Sequence, residues 1–298
     1  MPADADGLVS NDWADFSLTE DTLTAAAGVT LEGGTNGTVL PTNAAGYFDL
    51  VDEALWNTMA VPSDAAALKP LVVTYIQNKR DNTGRKVQAV LENYANADYE
   101  GIISVSQGYV NLAGESVTPT LFTATVAGMT AAAAINESNT FKVLTSADTI
   151  INPIKDEDVE AALKAGKFIL TRRQDGVIVV EQDINTLHSF TPYKDYAFSK
   201  NRVLRVLDDI GNQILIKFES AYVGKVDNND TGRNVFKADI ISYMKELQDM
   251  GAIQNFDPAT DVIVAQGMDV DAVRCDLWVQ PVDAMEKLYM QVLVGGEQ

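Results

Sequence analysis

AVRCDLWVQPVDAMEKLYMQVLV, residues 272–294, decides how the rest of the chain is read. Its first half alternates: Val273, Cys275, Leu277 and Val279 fall on one face, and Arg274, Asp276, Trp278 and Gln280 on the other. Beyond the bend at Pro281-Val282-Asp283, Leu288, Met290, Val292 and Val294 alternate in phase. Period-two alternation predicts half-buried strands over 272–280 and 284–294. An apolar strand this close to the end of the sequence carries unpaired backbone groups that need a partner. One solution is to add the strand to the sheet of a neighbouring chain.

Working back from that stretch, a strand is expected over 261–265. Before it lies a helix marked by Phe236, Ile240, Met244 and Leu247 and ended by Gly251. Ser199 is placed to cap a longer helix, 199–223, whose stripe is Val203, Leu207, Ile210, Ile214, Phe218 and Ala221, with Gly224 as its stop. Two helices followed by strands make an α+β unit, 189–298, with a strand-exchange arm at its end.

The preceding unit, 31–188, alternates helix and strand. Tyr47, Leu50, Val51, Ala54 and Leu55 have helical spacing, and 58–61 is a short strand. Ser63-Asp64 caps a second helix with core face Leu68, Leu71, Val72, Tyr75 and Ile76; Pro70 places its regular part from there on. Strands at 87–91 and 101–105 precede a third helix at 117–135. Asp156, Glu157 and Asp158 open a fourth with Val159, Ala162 and Leu163 inward and Gly166 as stop. A hairpin joins 168–170 to 177–180 through Gln174-Asp175-Gly176. The expected class is α/β, a layered mixed sheet with flanking helices, followed by the α+β unit. Residues 1–40 are rich in Asp, Thr and Gly and weak in helical pattern, and 28–40 read as a loop or edge strand.

Among 298 residues, 22 are basic and 42 acidic, a formal charge of −20. Phosphate neutralisation needs clustered Lys and Arg, so nucleic acid is not an expected partner, and an anionic membrane surface is disfavoured too. The opening MPADADGLVS is acidic and polar, unlike a secretory leader. The uncharged run 117–135 holds five threonines, Pro119 and Gly128, and reads as a buried helix rather than a membrane span. With one cysteine, Cys275, and one histidine, His188, neither an internal disulfide nor a Cys/His zinc site is available. Cys275 reads as a packed thiol and His188 as a satisfied structural histidine at the junction of the two units.

Few patterns suggest chemistry. Asp227-Asn228-Asn229-Asp230-Thr231-Gly232 resembles the start of a calcium loop, but position twelve is Ala238, so it reads as a polar interhelical turn. The run Gly33-Gly34-Thr35-Asn36-Gly37-Thr38 lacks the Lys-Ser/Thr ending of a phosphate loop. No catalytic constellation, metal site or cofactor site is expected. Lys200, Arg202 and Arg205 read as a solvated basic face that can also meet acidic surface on a neighbour.

Several longer segments carry a resemblance. LEGGTNGT (31–38), KVQAVL (86–91), DYEGIISV (98–105), AAINES (133–138), EAALKAGKFIL (160–170) and VEQDINTLHSFTP (180–192) resemble the central domain of contractile-tail sheath proteins of myophages, prophages and phage-tail-like bacteriocins. FSKNRVLRVLDDI (198–210), GKVDNNDTGR (224–233), LQDMGAIQNF (247–256) and VQPVDAMEKLYMQVLV (279–294) resemble the C-terminal domain. The resemblance implies a non-enzymatic subunit that polymerises with copies of itself around a tail tube. The sheath would be anchored at a baseplate, closed by a terminator, and would contract to drive the tube through an envelope. It implies a location in the virion tail, assembled in the bacterial cytoplasm.

It further implies a C-terminal sheet completed by arms from neighbouring subunits. On this chain, Val273, Cys275, Leu277, Val279, Leu288, Met290, Val292 and Val294 are then the strand-exchange candidates, and Lys200, Arg202 and Arg205 the candidates for tube or neighbour contact. Family members carry an N-terminal arm and a further β-rich domain, so the resemblance implies that residues 1–30 are the end of that β-rich region and that the chain is part of a longer subunit. Two other readings stay open. An α/β hydrolase or nucleotide-binding enzyme would need a convergent polar pocket with perturbed acids. A binding module would use 272–294 to capture one partner strand.

Overall fold

QAVLE and IISV, the two strands at the centre of the first half, are apolar runs buried almost throughout. Parallel strands covered on both faces require such runs. The computed structural model describes residues 41–293. Helix α1 (Pro41–Asp52), strand β1 (Thr58–Val61) and helix α2 (Leu68–Gln77) come first; α2 runs on into one π turn, Asn78–Asn82, and then β2 (Gln88–Glu92). After them come β3 (Ile102–Val105), β4 (Gly108–Asn111), β5 (Ser116–Val117), α3 (Pro119–Ala132), β6 (Ala147–Ile151) and α4 (Asp156–Lys164). Strands β7 (Lys167–Phe168), β8 (Leu170–Arg172) and β9 (Ile178–Val180) close this half.

The main sheet has the order β1-β2-β3-β7, and every neighbouring pair is parallel. Alternate residues of β2 and β3 serve opposite layers. Val90, Ile103 and Val105 pack with Phe122 and Val126 of α3, whereas Ala89, Leu91 and Ile102 pack with Val72 and Ile76 of α2. Thr118 caps α3, its hydroxyl accepting from the Leu121 amide at 3.3 Å. Among the described residues no helix is long and apolar enough to cross a membrane.

The α/β class holds, with four differences in detail. The hairpin β8–β9 forms its own antiparallel ladder, so the main sheet stays parallel rather than mixed. A three-stranded antiparallel sheet, β5-β4-β6, is absent from the sequence reading, because its strands are short and hold exposed polar residues such as Asp148 and Thr149. Tyr47, Leu50 and Leu55 do not face the core: they are 52%, 69% and 95% exposed, and α1 packs instead through Phe48 and Val51. Ser63 does not cap α2, which starts at Leu68 after Ala67 with no side-chain cap; its hydroxyl accepts from the Ala65 amide. The expectations over 1–40 lie outside the described residues.

Gly166 ends α4 at φ +70°, and a Cβ there would sit 2.6 Å from the Thr186 carbonyl oxygen. Gly166→Ala is therefore expected to cost about 1–3 kcal/mol, measurable as a lower urea midpoint with unchanged slope.

A short 3-10 turn, Tyr196–Ser199, leads into α5 (Asn201–Ala221), followed by α6 (Asp230–Asp249), β10 (Val262–Gln266) and β11 (Val273–Leu277). Ser199 lies in that turn and the N-cap of α5 is Lys200, one correction to the expected start. Val206 and Ile210 of α5 meet Phe236, Ile240, Met244 and Leu247 of α6 in a second core, closed by Ala252, Ile253 and Val262. Asn229 caps α6 by accepting from the Gly232 amide at 2.9 Å, and Asn228 donates to the carbonyls of Val270 and Ala272. That is the polar turn expected of 227–232, tied to the β10–β11 connection; among the described residues no acid cluster is arranged for a metal.

Polar groups join the two halves, and Ile135 of the first packs against the second core. Asp98 accepts from the amides of His188 and Ser189 at 2.8 and 2.9 Å. His188 Nδ1 lies 2.9 Å from the Thr186 carbonyl, which only accepts, so Nδ1 carries the proton. Burial works to raise the Asp98 carboxyl, but the bonds from His188 and Ser189 outweigh it and hold the pKa below its ordinary value. A depressed carboxylate contributes stability above its unfolded pKa and loses it as pH falls through the folded one. Asp98→Asn is thus expected to be less stable than the parent at pH 7, with the gap closing below about pH 4; urea titrations at stepped pH check this.

Candidate assembly interface at the C-terminal hairpin and arm

Antiparallel pairing sets Val262 opposite Leu277, Val264 opposite Cys275 and Gln266 opposite Val273. Val262, Val264, Val273, Cys275, Leu277 and Val279 consequently share one face and lie on the α5–α6 core. The alternation read from 273–279 is real, and its inward target is this chain's own helices. Burial pushes the Cys275 thiol above its usual range, as suits a packed and unreactive sulfur. On the other face Ile263 and Trp278 are largely exposed. Two strands alone make a marginal sheet that depends on such helix packing. Among the described residues β10 and β11 pair only with each other, leaving two free edges.

Beyond β11 the chain runs along the end of α6. Trp278 donates from its amide to Asp261, Pro281 bridges Ile253, and Val282 donates to Ala252. It then leaves the core. The expected strand over 284–294 does not form in the described residues: 284–293 have no ladder partner, and Leu288, Tyr289, Met290, Val292 and Leu293 are 74–89% exposed. A strand exists only by pairing, and among the described residues no edge reaches the segment. Val294 lies outside the described residues.

One side chain of this arm is buried. The Glu286 carboxylate is 7% exposed and meets Lys200 Nζ, whose side chain is 4% exposed. It also accepts from Thr140 Oγ1 at 2.7 Å and Gln182 Nε2 at 3.1 Å, both from the first half. Burial disfavours the Lys200 charge, but the hydrogen bond and charge of Glu286 outweigh it and raise the ammonium's pKa. The ring of Tyr196 lies 5.5 Å from Lys200 Nζ and 5.6 Å from Lys287 Nζ.

Lys200 is therefore not on a solvated face. Arg205 is also engaged, donating to the Glu137 carbonyl at 2.6 Å and lying 3.6 Å from the 1%-exposed Asp183 carboxylate. Arg202 is half-buried, with a buried Nε that has no partner among the described residues. The three share a helix start, but two of them are spent within the chain. Glu286 is the residue missed by the sequence reading. The signal is present: it lies in phase with Leu288, Met290 and Val292, a carboxylate on an otherwise apolar face.

The model of the phage tail sheath protein central domain matches residues 41–186, and that of the phage tail sheath C-terminal domain matches residues 193–295. A sheath tail protein from Desulfitobacterium hafniense is 44% identical, covering 97% of this chain and 68% of its own, with a TM-score of 0.82. The chain belongs to the phage tail sheath family.

The sheath chain is also 36% identical to the phage-like element PBSX protein XkdK of Bacillus subtilis, over 92% of its own length and 60% of that protein's. It thus spans about 60% of that relative. A fold likeness extends to the helical sheath of the anti-feeding prophage in its contracted state, at 13% identity and a TM-score of 0.64 over 85% of this chain.

Proposed function

We propose that the sheath chain is the central and C-terminal part of a contractile tail sheath subunit. Copies polymerise around a tail tube, on a baseplate and below a terminator, and contract to drive the tube through the host envelope. They are assembled in the cytoplasm and kept in the virion or tail-like particle. The observation that carries this is the arm: 284–293 present large apolar side chains to solvent beside a two-stranded sheet with free edges. A contiguous apolar surface of that kind is an interaction site, and an added strand satisfies both the arm and an edge. The exchange is assigned to Leu288, Met290, Val292 and Val294 as the moving strand. Val273, Cys275, Leu277 and Val279 hold the receiving hairpin on its helices.

The enzymatic alternative gains no support from the described residues. A cleft of about 200 Å³ with polar lining includes Asp208 and Asp209. These carboxylates are already engaged, Asp208 by Arg80 and Asp209 by the Tyr243 hydroxyl. The glycine run at 33–38 lies outside the described residues.

Negative-stain microscopy of this chain, and of a version extended to the length of its relatives, with tail tube protein present, tests the proposal. Rings or tubes of the extended chain are the expected result. A protein that stays monomeric in both forms beside its tube sinks it.

A further inference from the structure

The geometry points to Glu286 as a pin that fixes where the arm leaves the subunit. Every large apolar side chain of 284–293 is free of the core, yet the single carboxylate in their midst is enclosed. Its Oε1 accepts from Thr140 and its Oε2 from Gln182 and Lys200, so both oxygens have partners. The receiving notch is assembled from three separate parts of the chain. Thr140 lies in the connection after α3 and accepts at the same hydroxyl from the Asp183 amide at 2.9 Å and from Ser138 at 3.0 Å. Gln182 follows β9, and Lys200 precedes α5.

Lys200 explains why the notch has a definite occupant. Its ammonium is taken from water beside the Tyr196 ring, and Glu286 is its salt-bridge partner. A buried ammonium with its counter-charge removed is strongly unfavourable, so the notch selects a carboxylate over any neighbouring arm residue. Met285 and Leu288 cannot substitute for it, and a shift of the arm by one residue would leave Lys200 bare. The pin consequently sets register: residues 288–293 start from one point and cannot slide. Their use in assembly rests on the reading above; the pin itself does not.

Lys287 makes the test simple, because it is exposed and directly follows the pinned residue, so trypsin reports the mobility of the arm root. Cleavage after Lys287 is compared in the whole folded chain, in Glu286→Gln, and in the double variant Lys200→Met with Glu286→Gln. The double variant removes the buried charge along with its partner, which guards against a chain that fails to fold. Cleavage is expected to accelerate by roughly a hundredfold in both variants, with near-UV circular dichroism unchanged. A folded double variant cleaved at the parent's rate overturns the pin. Set beside the microscopy of the extended chain, the result separates the two ideas. A freed arm in the variants, with the extended chain still monomeric beside its tube, keeps the pin and defeats the assembly reading. An extended chain that polymerises while all three chains are cleaved alike does the reverse.

Discussion

Asp208→Ala is expected to lower the unfolding free energy by about 3–5 kcal/mol. Asp208 lies on α5 and takes a two-pronged bond from Arg80, Nη1 to Oδ2 at 2.6 Å and Nη2 to Oδ1 at 2.7 Å. Arg80 sits in the π turn after α2 and is 3% exposed. Burial works against its charge, and the carboxylate of Asp208 more than compensates, raising its pKa. The pair joins residues 128 positions apart, so it ties the second half to the parallel-sheet half. Removing the acid strands a guanidinium whose other partner is the Val87 carbonyl. Replacing both members with apolar residues, Arg80→Met with Asp208→Leu, is expected to recover most of the loss. Urea unfolding followed by circular dichroism reads both. A single variant within about 1 kcal/mol of the parent would mean that the guanidinium finds water or another acceptor.

The second large effect concerns the proposed polymer. Changing Leu288, Met290 and Val292 together to serine should leave monomer stability within about 0.5 kcal/mol of the parent, since surface substitutions seldom do more. In an assembled sheath these side chains would be buried, each contributing at least about 1.5 kcal/mol. For three residues that is at least about 4.5 kcal/mol, or more than roughly a thousandfold in the protein concentration at which polymer forms. Sedimentation across a dilution series measures it. Polymer forming at the parent's concentration would remove the arm from the interface.

Which features are legible in the sequence follows from how local their causes are. Helix α5 is legible because Val203, Ile210, Ile214 and Phe218 keep one stripe over many turns. The inward face of 273–279 is legible because the period of a strand is two. Tyr47 and Leu50 mislead for the opposite reason: a short helix with apolar residues on several sides does not say which side is covered, and Leu55 lies beyond the end of α1. The separation of β8–β9 from the main sheet depends on a single step in the chain. Phe168 pairs with Val105, whereas Leu170 pairs with Val180.

The site divides in the same way. The exposed arm is legible as a strand without a partner. Lys200, Arg202 and Arg205 look alike in sequence, and only the fold shows that one is enclosed by Glu286 and another is held by Glu137 and Asp183. A contact between residues 86 positions apart leaves no periodic trace. The nearest clue is the charge of Glu286 on an apolar face.

The placement of Glu286 has a mechanical side. Tension on the arm does not first reach the β10–β11 ladder, where hydrogen bonds would open one after another from the end. It meets a junction at which the bonds to Lys200, Thr140 and Gln182 must shear together. From there the pull divides between the head of α5 and the loops beside β9. A chain tugged by its arm is thus gripped by both of its halves, and the β10–β11 ladder is spared from unzipping.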